Sequence, residues 1–291
     1  MTTTVTNQMR TTPAVTAGAV SLATTLISLT MLAAPPTIDF TQVQSTYVYQ
    51  GVESRDDLAA EIAKSRLVWS GPLTEATLFA GDGQSDEGYS LAVNFTVSSC
   101  DAGLWSFRLG PDFGRGGAIF VDGVRLADST ADLWWGFDWN ETSQLLVVSD
   151  ASLAAGSHQA EVFGFEDCCA GAMSLEYQVG DTGWQAVSLT NLTPPDQDQD
   201  GVADCDDACP QSDLSPTVVI GGCDSQVANA LLASGCTIAD EIAHCAATAS
   251  NHGAFVSCVA HLTSALKAQG VITGAGKGAI QSCAAQSSAG K

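Results

Sequence analysis

The chain has 291 residues, 45% of them hydrophobic, enough to bury a sizeable core and to build about two domains. It carries 32 Asp and Glu against 10 Lys and Arg, for a formal net charge of −22 and an isoelectric point near 4.1. That balance argues against partners such as nucleic-acid backbones and anionic lipid surfaces, and favours hard cations.

Residues 1–34 contain one base, Arg10, no acid, and a mostly apolar stretch from about Ala14 to Ala34, which reads as an export signal peptide. Cleavage after Ala33 or Ala34 would place Met31 or Leu32 where a small residue is preferred, so an uncleaved N-terminal anchor stays open. No later run is long enough to span a membrane. With ten cysteines, the chain is expected to be secreted or displayed at the cell surface, in an oxidising compartment.

From residue 39 to 192 the pattern is that of strands. DDLAAEIAKSR at 56–66 is the one helical exception, with Leu58, Ile62 and Ala63 on one side. In YSLAVNFTV, Tyr89, Leu91, Val93, Phe95 and Val97 alternate with small or polar residues, as a half-buried strand requires. LWSFRLG at 104–110 and GAIFVDGVRL at 117–126 follow, and Asp122-Gly123 in the latter suits a tight hairpin turn. QLLVV at 144–148, HQAEVFGF at 158–165 and MSLEYQV at 173–179 complete an expected antiparallel β-sandwich.

Pro194-Pro195 ends the strands, and the acidic run DQDQDGVADCDDAC begins. Counted from Asp196, acids stand at positions 1, 3, 5, 9 and 12 (Asp196, Asp198, Asp200, Asp204, Asp207), with Gly201 at 6 and the Val202 carbonyl at 7. Calcium takes about six to eight oxygens, and alternating acids on a loop that turns sharply at glycine can converge on one ion. Asp207 stands where an EF-hand carries a bidentate Glu, and prolines stand where its first helix would be, so a helix-loop-helix sensor is not expected. Segment 193–215 is thus read as a calcium-binding segment. Segment 223–286 is read as a small, disulfide-stapled helical domain. Its first helix would start at Asp224 and run to about Ala233, ended by Gly235. Thr237 and Asp240 form a capping box for a second, with Ile238, Ile242, Cys245 and Ala249 on one face. Phe255, Val259, Leu262 and Leu266 mark a third, and Thr273, Ile280 and Cys283 a fourth.

Continued through Cys209-Pro210, the acidic run resembles a thrombospondin type-three repeat. The resemblance covers about fifteen residues and implies calcium wrapped with little regular structure, with Asp196, Asp198, Asp200, Asp204 and Asp207 at its ligand positions. A single repeat implies a stiff joint rather than a long rod. Residues 104–126, DLWW at 132–135 and GSHQAEVFGFEDCCAGAMSLEY at 156–177 resemble bacterial secreted proteins of the CCxG type, often tied to PEP-CTERM sorting. Their layout is similar to the protective-antigen-type sandwich of some lectins and adhesins. The CCxG group implies no established activity, but the lectin-like layout makes Asp112, in a Pro-Asp-Phe-Gly turn, a ligand candidate.

Trp134, Trp135, Phe137 and Trp139 cluster beside Asp132 and Asp138, and aromatics next to carboxylates are a common means of holding a sugar ring; the alternative is that these rings fill the core. Cys168 and Cys169 either pair with each other or one of them pairs with Cys100, the simpler arrangement. The sandwich holds three cysteines (Cys100, Cys168, Cys169) and the rest of the chain seven (Cys205, Cys209, Cys223, Cys236, Cys245, Cys258, Cys283), so full oxidation requires a bond between the two groups. A staple from Cys209 to Cys223 would tie the calcium segment to the helical domain. His244, His252 and His261 lie near Cys245 and Cys258, but no CxxC or CxxCH accompanies them, so neither zinc nor haem is expected.

No GxSxG, HExxH or phosphate-binding glycine loop is present. The expectation is a secreted calcium-binding adhesive or structural protein of the bacterial surface, not an enzyme, with extracellular polysaccharide or a surface protein as partner. The competing expectation is a hydrolase acting on extracellular glycans.

Overall fold

The computed structural model describes residues 34–79, 85–169 and 171–289, so all but the last residue of the export-signal reading lies outside the described residues. Strands β1 (Thr37–Gln44), β2 (Arg66–Leu73), β3 (Thr77–Phe79) and β4 (Ser85–Val97) come first, with helix α1 (Arg55–Lys64) between β1 and β2. They are followed by β5 (Gly103–Gly110), β6 (Asp112–Phe113), β7 (Gly117–Val121), β8 (Val124–Ser129) and β9 (Leu133–Trp134). The last strands of this region are β10 (Leu146–Leu153), β11 (Gly156–Cys168), β12 (Ala172–Val179) and β13 (Gln185–Ala186). One sheet has six strands in the order β2-β1-β4-β11-β7-β8; the other runs β10-β5-β12-β13, with β3 also paired to β12. All pairings are antiparallel. Asp122 and Gly123, both at positive φ (49° and 76°), close the β7–β8 hairpin as the sequence predicts.

The two sheets enclose the main core. Leu91, Val93, Phe95 and Val97 of β4 point into it, together with Phe107, Leu109, Ile119, Val162 and Leu175. Strands β7 and β11 are buried on both faces, because the outer face of the larger sheet is covered as well. There Ala118, Phe120, Phe163 and Phe165 pack with Tyr49 and with Leu58 and Ile62 of α1 in a second core. Ser54 caps α1: its hydroxyl accepts the Asp57 N–H while the Asp57 carboxylate accepts the Ser54 N–H. Arg55 then reaches Glu161 on β11 with Nε (2.8 Å) and Nη2 (2.5 Å), a two-pronged pair that fastens the helix to the sheet.

Beyond the acidic segment the structure differs from the sequence reading at one element. Residues 224–233 do not begin a helix; β14 (Thr217–Ile220) and β15 (Cys223–Ala228) form a hairpin. The β-branched run TVVI favours a strand, and Gly221 and Gly222 supply the positive φ (56° and 84°) of a tight turn. The Asp224 carboxylate, read as a helix cap, instead accepts the Gln226 N–H two residues on, in a turn. Helices α2 (Ile238–Thr248), α3 (His252–Ala268) and α4 (Gly274–Gln286) follow, capped by Thr237, Asn251 and Thr273. Val218, Ile220, Ile238, Ile242, Phe255, Val259, Leu266 and Ile280 form their shared core.

All ten cysteines are paired. Cys168 bonds its neighbour Cys169, and Cys100 bonds Cys205, which corrects the expected Cys100 pairing. The register explains why: Cys168 faces Ser85 at the start of β4, whereas Cys100 follows its end, on the order of 40 Å away along an extended strand. The staple to the helical domain runs from Cys209 to Cys236 rather than to Cys223, which instead ties the hairpin to α4 through Cys283. Cys245 and Cys258 join α2 to α3, so neither offers a thiolate to a metal. His252 holds the segment after α4, its ring nitrogens 2.8 Å from the Ala289 carbonyl and 3.2 Å from that of Ala285.

Candidate functional sites at the two ends of the sandwich

The acidic loop leaves the sandwich at Pro195 and is wound on its own side chains. Asp196 accepts the N–H groups of Gln199 (2.8 Å) and Gly201 (2.9 Å). Asp198 accepts those of Asp200 (3.1 Å) and Ser212 (2.6 Å), and Asp200 accepts that of Val202 (2.7 Å). Gln199 and Gly201, at φ 62° and 93°, make the sharp turn that glycine at the sixth position forecasts. Oxygens of Asp196, Asp198 and Asp200 lie within 4.8 Å of one another, a spacing that two ligands about 2.3–2.6 Å from a shared calcium can have.

Two carboxylate oxygens, Asp200 Oδ2 and Asp207 Oδ2, are buried without a hydrogen-bond partner among the described residues. Burial pushes the Asp200 carboxyl up, the Val202 amide works against that, and the charges of Asp198, Asp207 and Asp196 push it further up. Buried acceptors facing like charges are the chemistry a hard cation relieves, so these residues fit calcium. The Val202 carbonyl accepts no hydrogen bond among the described residues. Asp204 is placed differently: its Oδ1 accepts the Gln197 N–H (2.7 Å), and it lies outside the close trio. Gly235, expected to end a helix, instead shapes the loop. It sits at φ 84°, and a Cβ there would overlap the Asp207 carboxylate.

Both neighbouring bodies grip this loop. On the sandwich side, Cys205 is bonded to Cys100 and Asp206 accepts the Ser99 N–H (3.2 and 3.3 Å). On the helical side, Cys209 is bonded to Cys236, Ala208 N–H donates to the Ser234 carbonyl (2.8 Å), and the Ser212 hydroxyl to the Gly235 carbonyl (3.0 Å).

The second constellation lies at the other end of the sandwich. The short β6–β9 ladder sets Asp112 opposite Trp134. The Trp134 side chain is 63% exposed and Asp112 is 8% exposed. The Asp112 carboxylate accepts the Gly171 N–H, and a Cβ on Gly171 would press on that carboxylate and stand 3.6 Å from the Trp134 indole nitrogen. Beneath them the buried Glu166 carboxylate accepts the N–H groups of Gly114 (2.6 Å), Asp167 (2.9 Å) and Cys168 (3.0 Å), holding the start of the Cys168–Cys169 turn. Burial pushes the Asp112 carboxyl up to about 6; the Gly171 amide opposes this, and the charges of Glu166, Asp132 and Glu87 reinforce it.

The other sequence candidates are structural. Trp135 is 5% exposed and packs over Gly110, where any Cβ would overlap its indole. Trp139 is 4.7 Å from Trp135 and lies on the Arg108 guanidinium, which is sandwiched between Trp139 (4.3 Å) and Trp184 (4.6 Å) and paired with Glu176. Asp138 closes a surface turn by accepting the Asn140 N–H (2.9 Å). Trp134 and Asp112 therefore stand opposite each other, with the charge of Asp132 acting on Asp112, while Trp135 and Trp139 are engaged in packing and Asp138 in its own turn.

No protein-family model and no curated protein matches the sequence. Solved structures show a distant likeness. An anti-sigma factor domain-containing protein from Clostridium clariflavum is 13% identical with a TM-score of 0.39, over 55% of this chain and 47% of its own. This chain thus spans about half the length of that protein. The epithelial adhesin 6 A domain from Candida glabrata, solved in complex with Galβ1-3GlcNAc, is 9% identical with a TM-score of 0.37, over 54% and 86%. A PA14 sugar-binding domain from an RTX adhesin is 12% identical with a TM-score of 0.35, over 54% and 97%. No helix among the described residues is long and apolar enough to cross a membrane.

Proposed function

We propose that the protein is an exported, calcium-stiffened adhesive protein that binds carbohydrate at the Asp112–Trp134 face. One observation carries this reading: the ligand face and the acidic loop lie at opposite ends of the 13-residue strands β4 and β11. The Asp112 carbonyl accepts the Tyr89 hydroxyl near the start of β4, whereas Cys100 beyond its end is bonded into the loop. A sandwich held rigidly at one end presents the other to a surface. At the free end an exposed indole stands beside a carboxylate and backbone amides, able to stack on a sugar ring and pair with its hydroxyls. The pairing of all ten cysteines supports export to an oxidising compartment.

Calcium in the loop would be held by Asp196, Asp198, Asp200 and Asp207, with the Val202 carbonyl, and its role is to neutralise the buried acids and fix the joint. At an affinity on the order of 10⁻⁴ to 10⁻³ M, as in extracellular modules, 10 mM calcium stabilises the fold by about 1.4–2.7 kcal/mol. The test is thermal melting with 10 mM calcium and with EDTA, paired with a glycan array. A rise of several degrees together with array binding that Trp134→Ala abolishes supports the reading. A melting curve unmoved by calcium removes the metal, and an array signal indifferent to Trp134→Ala removes the ligand face.

The glycan-hydrolase reading has one observation in its favour. Asp112 holds its proton to about pH 6, as a general acid does, beside the charge of Asp132. Release of products from an array glycan, abolished by Asp112→Asn, would establish it over simple binding.

A further inference from the structure

At the joint end of the sandwich a separate cleft of about 290 Å³ is lined by residues of the sheets and of the exit segment. Trp105 and Tyr177, stacked at 5.1 Å, form part of its lining and are almost fully buried. Their polar ends are already used: Trp105 Nε1 donates to the Asp101 carbonyl (2.8 Å) and the Tyr177 hydroxyl to the Asn191 carbonyl (2.6 Å). The unused groups around them are the Asp101 Oδ1, the Gln185 carboxamide, the Thr96 hydroxyl and the Asn191 Oδ1, none of which has a hydrogen bond among the described residues. Among the described residues no Lys, Arg or His lines the cleft. With one carboxylate there and a chain of net charge −22, an anionic ligand is repelled. The volume is at the small end of ligand pockets and suits one small ring rather than an extended chain.

Both walls lead into the acidic loop. Pro194 and Pro195 form one, and the Pro195 carbonyl accepts the Asp204 N–H (2.8 Å) immediately before the first loop acid. The turn bearing Asp101 forms the other, and it is fastened to the loop through Cys100–Cys205 and the Ser99 N–H on Asp206. We propose that this cleft binds a neutral monosaccharide unit, and that a cation held in the acidic loop sets the separation of its walls. The first statement stands on the cleft alone; the second rests on the calcium reading above.

The experiment is calorimetric titration of the full chain with methyl glycosides of glucose, galactose, mannose and N-acetylglucosamine, in 10 mM calcium and in EDTA. All titrations use the Trp134→Ala chain, in which the face at the opposite end is removed; Asp101→Asn and Gln185→Ala added to it test the cleft, and the melting curve of each variant reports its folding. At least one glycoside should bind. Asp101→Asn and Gln185→Ala should each weaken it about fivefold or more, the loss of one hydrogen bond. Removing calcium should weaken it about threefold or more. Absence of binding by all four glycosides overturns the proposal, as does binding insensitive to both cleft substitutions. If calcium raises the melting temperature yet leaves the glycoside affinity unchanged, the coupling is overturned while the metal site stands. If calcium leaves the melting temperature unmoved, the metal reading and the coupling fall together, and the two cleft substitutions still decide the cleft.

Discussion

Replacing Asp112 by Asn removes one buried charge and keeps an oxygen to accept the Gly171 N–H. In the native protein the Asp112 carboxyl is raised to about 6 from an ordinary value of 3.8, because burial and the charges of Glu166, Asp132 and Glu87 outweigh the Gly171 amide. Below the unfolded value both states carry the proton and the group costs nothing. As pH rises from about 4 to about 6 the unfolded chain ionises first, so native stability falls; above about 6 the loss levels off at about 3 kcal/mol. The Asn variant does not titrate there. It should match the native chain near pH 4 and exceed it by up to about 3 kcal/mol at pH 8. Urea unfolding in EDTA, followed by far-ultraviolet circular dichroism at several pH values, measures the difference, and the remaining carboxylates cancel between the two proteins. A difference that does not change with pH, or a variant less stable than the native chain at pH 8, refutes the assignment of that charge.

Arg55→Ala leaves Glu161, whose side chain is 5% exposed, without its guanidinium. Because a third of the Arg55 side chain reaches solvent, the expected loss is about 2–3 kcal/mol in urea unfolding, less than for a fully buried pair. Gly235→Ala puts a methyl group against Asp207 at a positive φ. It should cost about 1–3 kcal/mol and reduce the calcium-induced rise in melting temperature. Substituting Cys209 and Cys236 together by Ser opens a loop of sequence separation 27 and should destabilise by about 3–4 kcal/mol, read by thermal melting. Trp134→Ala, at an exposed side chain, should abolish array binding while shifting stability by no more than about 0.5 kcal/mol.

Local chemistry was readable wherever neighbours in the chain decide it. The alternation along Tyr89–Val97, the Asp122-Gly123 hairpin, the α1 helix and the Thr237–Asp240 capping box each involve residues a few positions apart, and each is found where the pattern places it. The misread stretch at 224–233 is also local, but Asp and Ser serve turns as readily as helix caps, and what lies beside them selects which. The aromatic run from Trp134 to Trp139 shows the same limit. Its composition names candidates, yet only packing separates the exposed Trp134 from Trp135 over Gly110 and Trp139 on Arg108.

By itself the sequence determined the acidic run and its glycine turn, the strand-rich region before it, the helices α2 to α4 after it, and by parity that full oxidation requires a disulfide joining the two. These follow from spacing, turn geometry and counting. The tertiary structure alone decided which cysteines meet, because contact between Cys100 and Cys205 is set by the register of β4 and the path of the exit segment across 105 residues. It also decided that Glu161 is buried against α1, and that Asp112 and Trp134 face each other at the end far from the joint. Such pairings depend on how sheets stack and where loops return, which is a property of the whole chain's packing and leaves no periodic mark in any short stretch of it.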